Sequence, residues 1–313
     1  MLYREMPKQI AFINQKSTID LYIKIRGDYR LFAARGALLP DEQYRQLNKE
    51  LTKLYFMVQD SADPEETLDA HLMDILTNPE VSPQAKADIA YSTSMESIRE
   101  VFQGTNSRTL SALKKVSKKI VQLILSDSRV IDNFMTITSS DHYTFMHSVK
   151  VGIYGTAMTI NLFQDKISDH NIDELSMAFF LHDIGMTKVP STILNKEEPF
   201  TDSEWEIMRK HPLWGQDRLR KANYESVEAT AIILYHHERC DGNGYPFKKS
   251  GSEIPVYAKI CAIVDTFESL TAGRPYRSPK SPFEALRIMQ VEMAREFDPE
   301  LFRAFIMLLG PGR

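Results

Sequence analysis

The chain is organised around ATAIILYHHERCDGNGYP, residues 229–246. Its apolar first part predicts a buried helix over residues 229–235 that delivers two adjacent histidines, His236 and His237. Imidazoles at the end of a buried helix are costly unless a partner binds them, and a metal ion is a frequent partner. The glycines that follow permit tight turns and close approach of the backbone to a ligand. The stretch therefore predicts a metal site with a substrate loop beside it.

Bulk composition is that of an ordinary globular protein. The chain has 313 residues, 43% hydrophobic and 26% charged, and this length predicts about two domains. The net charge of -4 shows no excess of basic residues that would attract nucleic acid or an anionic membrane, so we expect no DNA, RNA or membrane partner. Cys240 and Cys261 are too few for a disulfide framework, which favours a reducing cytoplasm. No apolar run approaches the ~18 residues of a membrane span, and the N-terminus lacks a signal-peptide core.

Residues 1–61 predict a small α+β module. The predicted elements are a strand over residues 20–26, a two-residue hairpin turn at Gly27-Asp28, a return strand over 29–34, a helix over 40–54 and a strand over 55–58. The module contains no histidine and no cysteine, so its sequence indicates no chemistry. We interpret it as an accessory or regulatory module that could bind a signalling-protein partner.

Residues 62–129 predict a helical connector. The predicted helices cover residues 63–76, 83–103 and 107–126, and Gly104 is a fitting stop for the second. The third is amphipathic, with lysines on the face opposite its apolar residues, and we interpret that face as solvated. We expect the connector to transmit a signal or to mediate a homodimer.

The sequence pattern of residues 130–313 predicts an all-helical domain. Because this domain is the largest part of the chain, the predicted fold class of the protein is mainly α. Five histidines and two aspartates in it occupy helices or helix ends: His147, His182, Asp183, His211, His236, His237 and Asp265. Nitrogen and oxygen ligands without an obligatory thiolate suit iron, manganese or a related divalent ion. Seven ligands are too many for one metal ion and suit two, with Asp183 as the bridge.

Each of these residues, taken alone, also has an ordinary structural interpretation. A lone His147 on an apolar helix is more often a satisfied core residue than a ligand. Asp265, within an apolar helix, could pair with an arginine. His211 is predicted to end a helix over residues 202–210 that begins with a capping box at Thr201 and Glu204. Because all seven residues occur in one predicted domain, we favour the interpretation that they form a metal site.

Six of these residues, together with the loop Gly244-Tyr245-Pro246, resemble the HD-GYP family, a branch of the HD phosphohydrolase superfamily; the six are His182, Asp183, His211, His236, His237 and Asp265. The resemblance covers about residues 130–313. Three further pieces agree with it, namely His147-Ser148, the RPYR segment at residues 274–277 and the FDP segment at residues 297–299.

The resemblance implies a cyclic di-GMP phosphodiesterase with two divalent metal ions, most often iron, with manganese and nickel as alternatives. The first ion would be held by His147, His182, Asp183 and Asp265, and the second by Asp183, His211, His236 and His237. Tyr143 stands where members with a third metal carry a glutamate, so we predict two. Two ions activate water as hydroxide and clamp the phosphodiester oxygens, which would yield linear pGpG and then GMP.

Substrate contacts follow from the same resemblance. Arg274 and Arg277 match positions that contact substrate phosphate, and a guanidinium fits phosphate in a bidentate manner. Arg277 departs from the lysine that the family often has there. Tyr245, in the loop with Gly244 and Pro246, is expected to pack against the ligand.

Met186 is a departure that bears on activity. The family commonly carries a lysine at this position, which reaches the scissile phosphate, and a thioether cannot stabilise developing negative charge. Losing one such contact can slow a reaction about a hundredfold. Lys188 is the candidate replacement, and we assign it a catalytic role with Asp183.

Several functions remain open from the sequence. The first is hydrolysis of cyclic di-GMP. The second is a metal-containing cyclic di-GMP receptor without significant turnover, which signals through the N-terminal module. The third is hydrolysis of another cyclic dinucleotide, since nothing in the sequence excludes one. Nucleoside triphosphates and alarmones are disfavoured by the Gly-Tyr-Pro loop and by the arginines at 274 and 277.

Overall fold

The computed structural model describes residues 3–6, 16–17, 19–25, 27–38, 53–57, 64–137, 143–273 and 278–310. The chain forms two compact units, divided between Thr93 and Ser94. It is mainly helical, as predicted, with a small sheet in the first unit. The three-part division at residues 61 and 129 stays a prediction.

The first unit contains a four-stranded antiparallel sheet in the order β1-β4-β2-β3. The strands are β1 Tyr3–Met6, β2 Leu21–Ile25, β3 Asp28–Ala33 and β4 Leu54–Met57. The predicted hairpin is present, but its turn comes one residue earlier, because Ile25 pairs with Asp28. Gly27 then lies inside the turn at φ 99°, a left-handed conformation that glycine adopts without steric cost.

Two further differences concern this sheet. Strand β1 was not predicted. The predicted helix over residues 40–54 lies mostly outside the described residues, and its last residue, Leu54, instead begins β4 with a fully buried side chain. Apolar spacing over a few residues does not distinguish a helix end from a buried strand, and pairing of β4 with both β1 and β2 decides the matter.

Helices make up most of the remaining structure. They are α1 Pro64–Thr77, α2 Pro83–Gln103, α3 Ser107–Ser126, α4 Val130–Thr136, α5 Tyr143–Phe163, α6 Ile172–Leu181, α7 Ser191–Leu194, α8 Asp202–Met208, α9 His211–Lys221, α10 Val227–Tyr235, α11 Val256–Thr271, α12 Pro282–Val291 and α13 Pro299–Leu309. Short 3-10 helices cover Gln164–Asp169, Ile184–Lys188 and Gly251–Glu253. None of the described helices combines the length and the apolar character needed to cross a membrane.

His211 differs from its predicted position. Helix α8 begins with the predicted capping box of Thr201 and Glu204 but ends at Met208, and His211 is the first residue of α9. Pro212 explains the difference, because proline is accepted in the first turn of a helix, where its missing N–H is not needed. The histidine therefore opens a helix.

Gly185 allows the segment after α6 to pack against the first turns of α9. A Cβ atom on Gly185 would lie 1.9 Å from the carbonyl oxygen of His211 and 2.6 Å from the amide nitrogen of Gly215. Any side chain here would push the two backbones apart. This close packing sets the distance between His211 and the residues at the end of α6.

Candidate metal centre

Five structural elements bring the predicted ligand residues to one place. His147 lies on α5, His182 and Asp183 follow α6, His211 opens α9, His236 and His237 follow α10, and Asp265 lies on α11. Within the part of the chain that the structure describes, two groups have candidate ligand atoms within 4.8 Å of one another. One contains His147, His182 and Asp183, and the other contains Asp183, His211, His236 and His237. Asp183 is the residue that the two groups share.

The two carboxylate oxygens of Asp183 face different histidine pairs. Oδ2 lies 3.6 Å from Nε2 of His147 and 3.6 Å from Nε2 of His182. Oδ1 lies 3.2 Å from Nε2 of His211 and 3.7 Å from Nε2 of His236. The two oxygens thus face the two groups separately, and Asp183 as a bridge between two ions stays a prediction.

Asp265 also contacts both groups. Its Oδ1 lies 3.1 Å from Nε2 of His147, and its Oδ2 lies 3.7 Å from Nδ1 of His237. The family resemblance assigned Asp265 to the first ion alone, and the geometry additionally brings it to the edge of the second group.

Backbone carbonyls determine which nitrogen of three histidines carries the proton. Nδ1 of His182 donates to the carbonyl of Phe179 at 2.9 Å, and Nδ1 of His211 donates to that of Met208 at 2.9 Å. Nδ1 of His236 lies 3.0 Å from the carbonyl of Ile233. Because a carbonyl oxygen can only accept, each Nδ1 holds the hydrogen, and each Nε2 of a neutral ring presents a lone pair.

These lone pairs meet in a way that suits a cation. Nε2 of His147 lies 3.2 Å from Nε2 of His182, and Nε2 of His211 lies 3.2 Å from Nε2 of His236. Two acceptor nitrogens at this distance repel each other unless a cation lies between or beside them. The donor set of imidazoles and carboxylates therefore fits divalent metal ions, while the identity of the metal is not determined by it.

Burial keeps His182 and His237 in the form that binds metal. It lowers the pKa of His182 to about 4, and it lowers the pKa of His237 well below the ordinary value of histidine. Neutral rings are the metal-binding form. Burial also raises the pKa of Cys240, which keeps its side chain a thiol and not the thiolate that binds metal.

Glu268 is a residue that the sequence analysis missed. It is 1% exposed, and its Oε2 lies 2.5 Å from Nδ1 of His147. It follows Asp265 by three residues on α11, which places both carboxylates on one face of that helix. The sequence feature that could have revealed Glu268 is an acidic residue three positions after Asp265 in an otherwise apolar helix.

The loop that follows His237 folds back on the centre. The Tyr245 ring stacks on that of His237, with ring centroids 4.6 Å apart, and the Tyr245 N–H donates to the His237 carbonyl at 3.1 Å. A Cβ atom on Gly244 would lie 2.4 Å from the amide nitrogen of Arg239, so only glycine allows this approach. Burial, aided by Asp265, raises the pKa of Tyr245 well above its ordinary value, so it remains a phenol.

A cavity of about 640 Å³ opens beside the centre. His236, His237 and Asp265 line it, together with the whole Gly244-Tyr245-Pro246 loop. Its aromatic and cationic lining residues are Trp205, Phe297, Arg209, Lys210, Arg239 and Lys248. The cavity thus combines candidate metal ligands and aromatic rings with four cationic side chains and two further carboxylates, Glu238 and Glu296.

The remaining predicted residues are placed elsewhere or lie outside the described residues. Nζ of Lys188 lies 2.9 Å from Oδ2 of Asp217, and Lys188 does not line the cavity. Met186 packs against an apolar cluster of Val189, Ile193 and Met208. Arg274, Arg277 and the side chain of Tyr143 are outside the part of the chain that the structure describes.

Comparison with known proteins places these features in a family. The HD domain family matches residues 140–301, more than half of the chain. A cyclic di-GMP phosphodiesterase of Pseudomonas aeruginosa is 36% identical over 187 residues, 60% of this chain and 44% of that protein. A cyclic di-GMP phosphodiesterase of Thermotoga maritima is 34% identical over 169 residues, 54% of this chain and 45% of that protein.

Relatives with another substrate in their names also match. The 3′3′-cGAMP-specific phosphodiesterase 1 of Vibrio cholerae is 30% identical over 192 residues, 59% of this chain and 42% of that protein. The chain spans less than half the length of these three relatives.

A solved structure shares the fold. Bd1817, a HDG"Y"P protein from Bdellovibrio bacteriovorus, aligns with a TM-score of 0.66 and 19% identity over 98% of this chain and 100% of its own. With the family match, the named relatives and the histidine–aspartate groups beside the Gly-Tyr-Pro loop, the chain belongs to the HD domain family, in its HD-GYP branch.

Proposed function

We propose that the protein is a metal-dependent phosphodiesterase that hydrolyses cyclic di-GMP to linear pGpG and, after a second cleavage, GMP. The observation that carries this proposal is the position of Asp183, whose two oxygens face separate histidine pairs beside a cavity. The names of the relatives in Pseudomonas aeruginosa and Thermotoga maritima support the substrate.

The cavity suits a cyclic dinucleotide. Its volume of about 640 Å³ is within the ordinary range for sites of small ligands. A cyclic dinucleotide has two anionic phosphates and two bases, which call for cations and flat apolar surfaces. Arg209 and Lys210 would supply the first kind of contact, and Trp205 and Tyr245 would supply the second.

The seven ligand residues would hold two divalent ions, which we propose to be iron, with manganese or nickel as alternatives. When bound, such ions lower the pKa of water and stabilise charge on phosphate oxygens. The protein's part is to direct Nε2 of each ring toward the ions, which the carbonyls behind His182, His211 and His236 favour by binding the Nδ1 hydrogen. Asp183 would then serve both ions, and Asp265 would complete the set.

Contacts with the substrate would come from the loop and from the segment at 274–277. Tyr245 remains protonated beside the cavity, so its hydroxyl can donate a hydrogen bond to a phosphate or a base. Arg274 and Arg277 stay in the proposal as phosphate contacts. We propose a cytoplasmic setting, with which the two free cysteines are consistent.

The deciding experiment is single-turnover hydrolysis of cyclic di-GMP by protein purified without oxygen, with metal content measured on the same sample. Cleavage by protein with about two metal ions per chain, and none by the Asp183→Asn variant, is the expected result. Complete metal loading without binding or cleavage of cyclic di-GMP would refute the proposed function. Parallel reactions with 3′3′-cGAMP would identify a preference like that named for the Vibrio cholerae relatives.

A second candidate is a cyclic di-GMP receptor without turnover. The observation that favours it is the environment of Met186, which packs in an apolar cluster while Lys188 pairs with Asp217. Neither side chain brings a charge to the cavity. Tight binding with full metal content and no cleavage would favour this function, with signalling through the connector, a homodimer or a partner of residues 1–61.

A further inference from the structure

Lys248 has a backbone conformation that is unusual for a residue with a side chain. Its φ is 57°, in the left-handed region. The other left-handed residues of the same loop, Gly242 at φ 78° and Gly251 at φ 45°, are glycines. A Cβ atom makes this conformation unfavourable, so glycine would be less strained at position 248 as well.

A buried carboxylate holds Lys248 in this conformation. Glu238 is 2% exposed, and its Oε1 accepts the N–H of Phe247 at 2.6 Å. Its Oε2 accepts the N–H of Lys249 at 2.9 Å. One carboxylate therefore binds the amides on both sides of Lys248. Since Glu238 directly follows His237 in the chain, the position of Lys248 is tied to the backbone that carries a candidate metal ligand.

Lys248 also brings a free charge to the cavity. It lines the cavity, its side chain is exposed, and it has no carboxylate partner among the described residues. Two other cations of the same loop are engaged with partners. Arg239 lies 3.0 Å from Asp241 and 2.7 Å from Glu296, and the ammonium of Lys249 lies 5.6 Å from the centroid of the Tyr235 ring.

We propose that Lys248 binds a phosphate of the substrate, and that this contact is the reason for a lysine at a position that favours glycine. The inference rests on the proposed function. A cyclic dinucleotide has two phosphates, so if one lies at the candidate metal centre, the other would find a cation elsewhere in the cavity in Lys248. Glu238 acts through Lys248 as its positioning residue.

The test compares three variants of the metal-loaded, full-length protein. Lys248→Gly removes the charge and relieves the strain of the left-handed backbone, while Lys248→Arg keeps the charge. Asn223→Gly is the control, because Asn223 also has a left-handed backbone, at φ 55°, but does not line the cavity. The measurements are calorimetric affinity for a slowly hydrolysed phosphorothioate analogue of cyclic di-GMP, and Tm.

For Lys248→Gly we expect about tenfold weaker binding with an equal or higher Tm, because one charge-assisted contact is lost while strain is relieved. Lys248→Arg should bind within about threefold of the unmodified protein, and Asn223→Gly should bind equally well. If Lys248→Gly bound the analogue as tightly as the unmodified protein, the inference would be overturned, and Lys248 would have only a structural role in the loop.

A separate titration distinguishes failure of this inference from failure of the proposed function. If the unmodified protein does not bind the analogue, the proposed function fails, and inorganic phosphate becomes the probe for Lys248. A lower affinity of Lys248→Gly for inorganic phosphate would still support a phosphate contact. Equal affinity of the two proteins for inorganic phosphate would overturn it.

Discussion

Nδ1 of His147 lies 2.5 Å from Oε2 of Glu268, and both side chains are buried. The carboxylate accepts the Nδ1 hydrogen, so the lone pair of Nε2 points toward His182 and Asp265, at 3.2 Å and 3.1 Å. A carboxylate behind a metal-binding histidine fixes the orientation of the ring and increases its basicity. Glu268 thus prepares His147 for a metal ion without itself being among the predicted ligands.

Replacing Glu268 with glutamine should weaken metal binding by about 10–100-fold, because the neutral amide orients and polarises His147 less well. Chelator competition on the purified variant would measure the change. Glu174→Gln is the matched control. That glutamate is also buried and bonded, to Lys114 and Tyr224, but lies outside both candidate metal groups. Equal metal affinity of Glu268→Gln and the unmodified protein would contradict the role assigned to Glu268.

Replacing Asp183 with alanine should empty both metal positions, since its two oxygens face the two histidine pairs. Metal content per chain, measured by atomic spectroscopy, should fall from about two toward zero. His211→Ala provides the comparison, because it removes a ligand of the second group alone and should leave about one ion per chain. Full metal content in Asp183→Ala would refute the assignment of a bridge.

Replacing Met186 with lysine should raise the rate of phosphodiester cleavage, by up to about a hundredfold, if the missing charge limits turnover. The substitution also takes a thioether out of the cluster with Val189, Ile193 and Met208, so we expect a loss of about 1 kcal/mol in the free energy of unfolding. Met186→Gln separates the two effects, since it should lose stability without gaining rate. An unchanged rate in a folded Met186→Lys protein would show that another group already supplies the charge.

The metal-free protein should lose stability as the pH falls from about 6.5 to about 4. Burial lowers the pKa of His182 from 6.5 to about 4. In that window the unfolded chain binds a proton that the folded protein does not, so the stability is fully present above pH 6.5 and lost as the pH approaches 4. The loss from this residue is roughly 3 kcal/mol. Urea unfolding at a series of pH values would measure it, and a flat profile would contradict the assignment of a neutral, buried His182.

Replacing Gly244 with alanine should displace the loop that carries Tyr245. The new Cβ would lie 2.4 Å from the amide nitrogen of Arg239 and 2.6 Å from the carbonyl of His237, and backbone atoms cannot move aside easily. We expect a loss of about 1–3 kcal/mol in stability together with weaker ligand binding. Gly104→Ala is the control, because its Cβ would find only the Asn106 side chain, at 3.8 Å. Thermal unfolding would measure the stability of both variants, and ligand titration would measure their affinity for the ligand.

The helical class, the amphipathic helices and the ligand residue types could be predicted from sequence because they depend on local pattern. Helix α3 has the predicted bounds and buries its apolar face, but Lys119, on the face interpreted as solvated, is buried as well. Predictions from local sequence pattern were wrong where packing between distant segments determines the secondary structure. Leu54 satisfies helical spacing, yet it is buried in a strand that pairs with two others. His211 was predicted at the end of one helix and instead opens the next, since the first-turn proline suits that position.

The sequence by itself determined the family, the mainly helical class and the chemical nature of the centre, because imidazole and carboxylate ligands at helix ends are features of residue type and spacing. Tertiary structure alone decided how they meet. It placed the two oxygens of Asp183 between histidine pairs, set Glu268 behind His147, and engaged Lys188 with Asp217. These relationships join residues that are mostly far apart in the chain, so they depend on how the helices pack against one another.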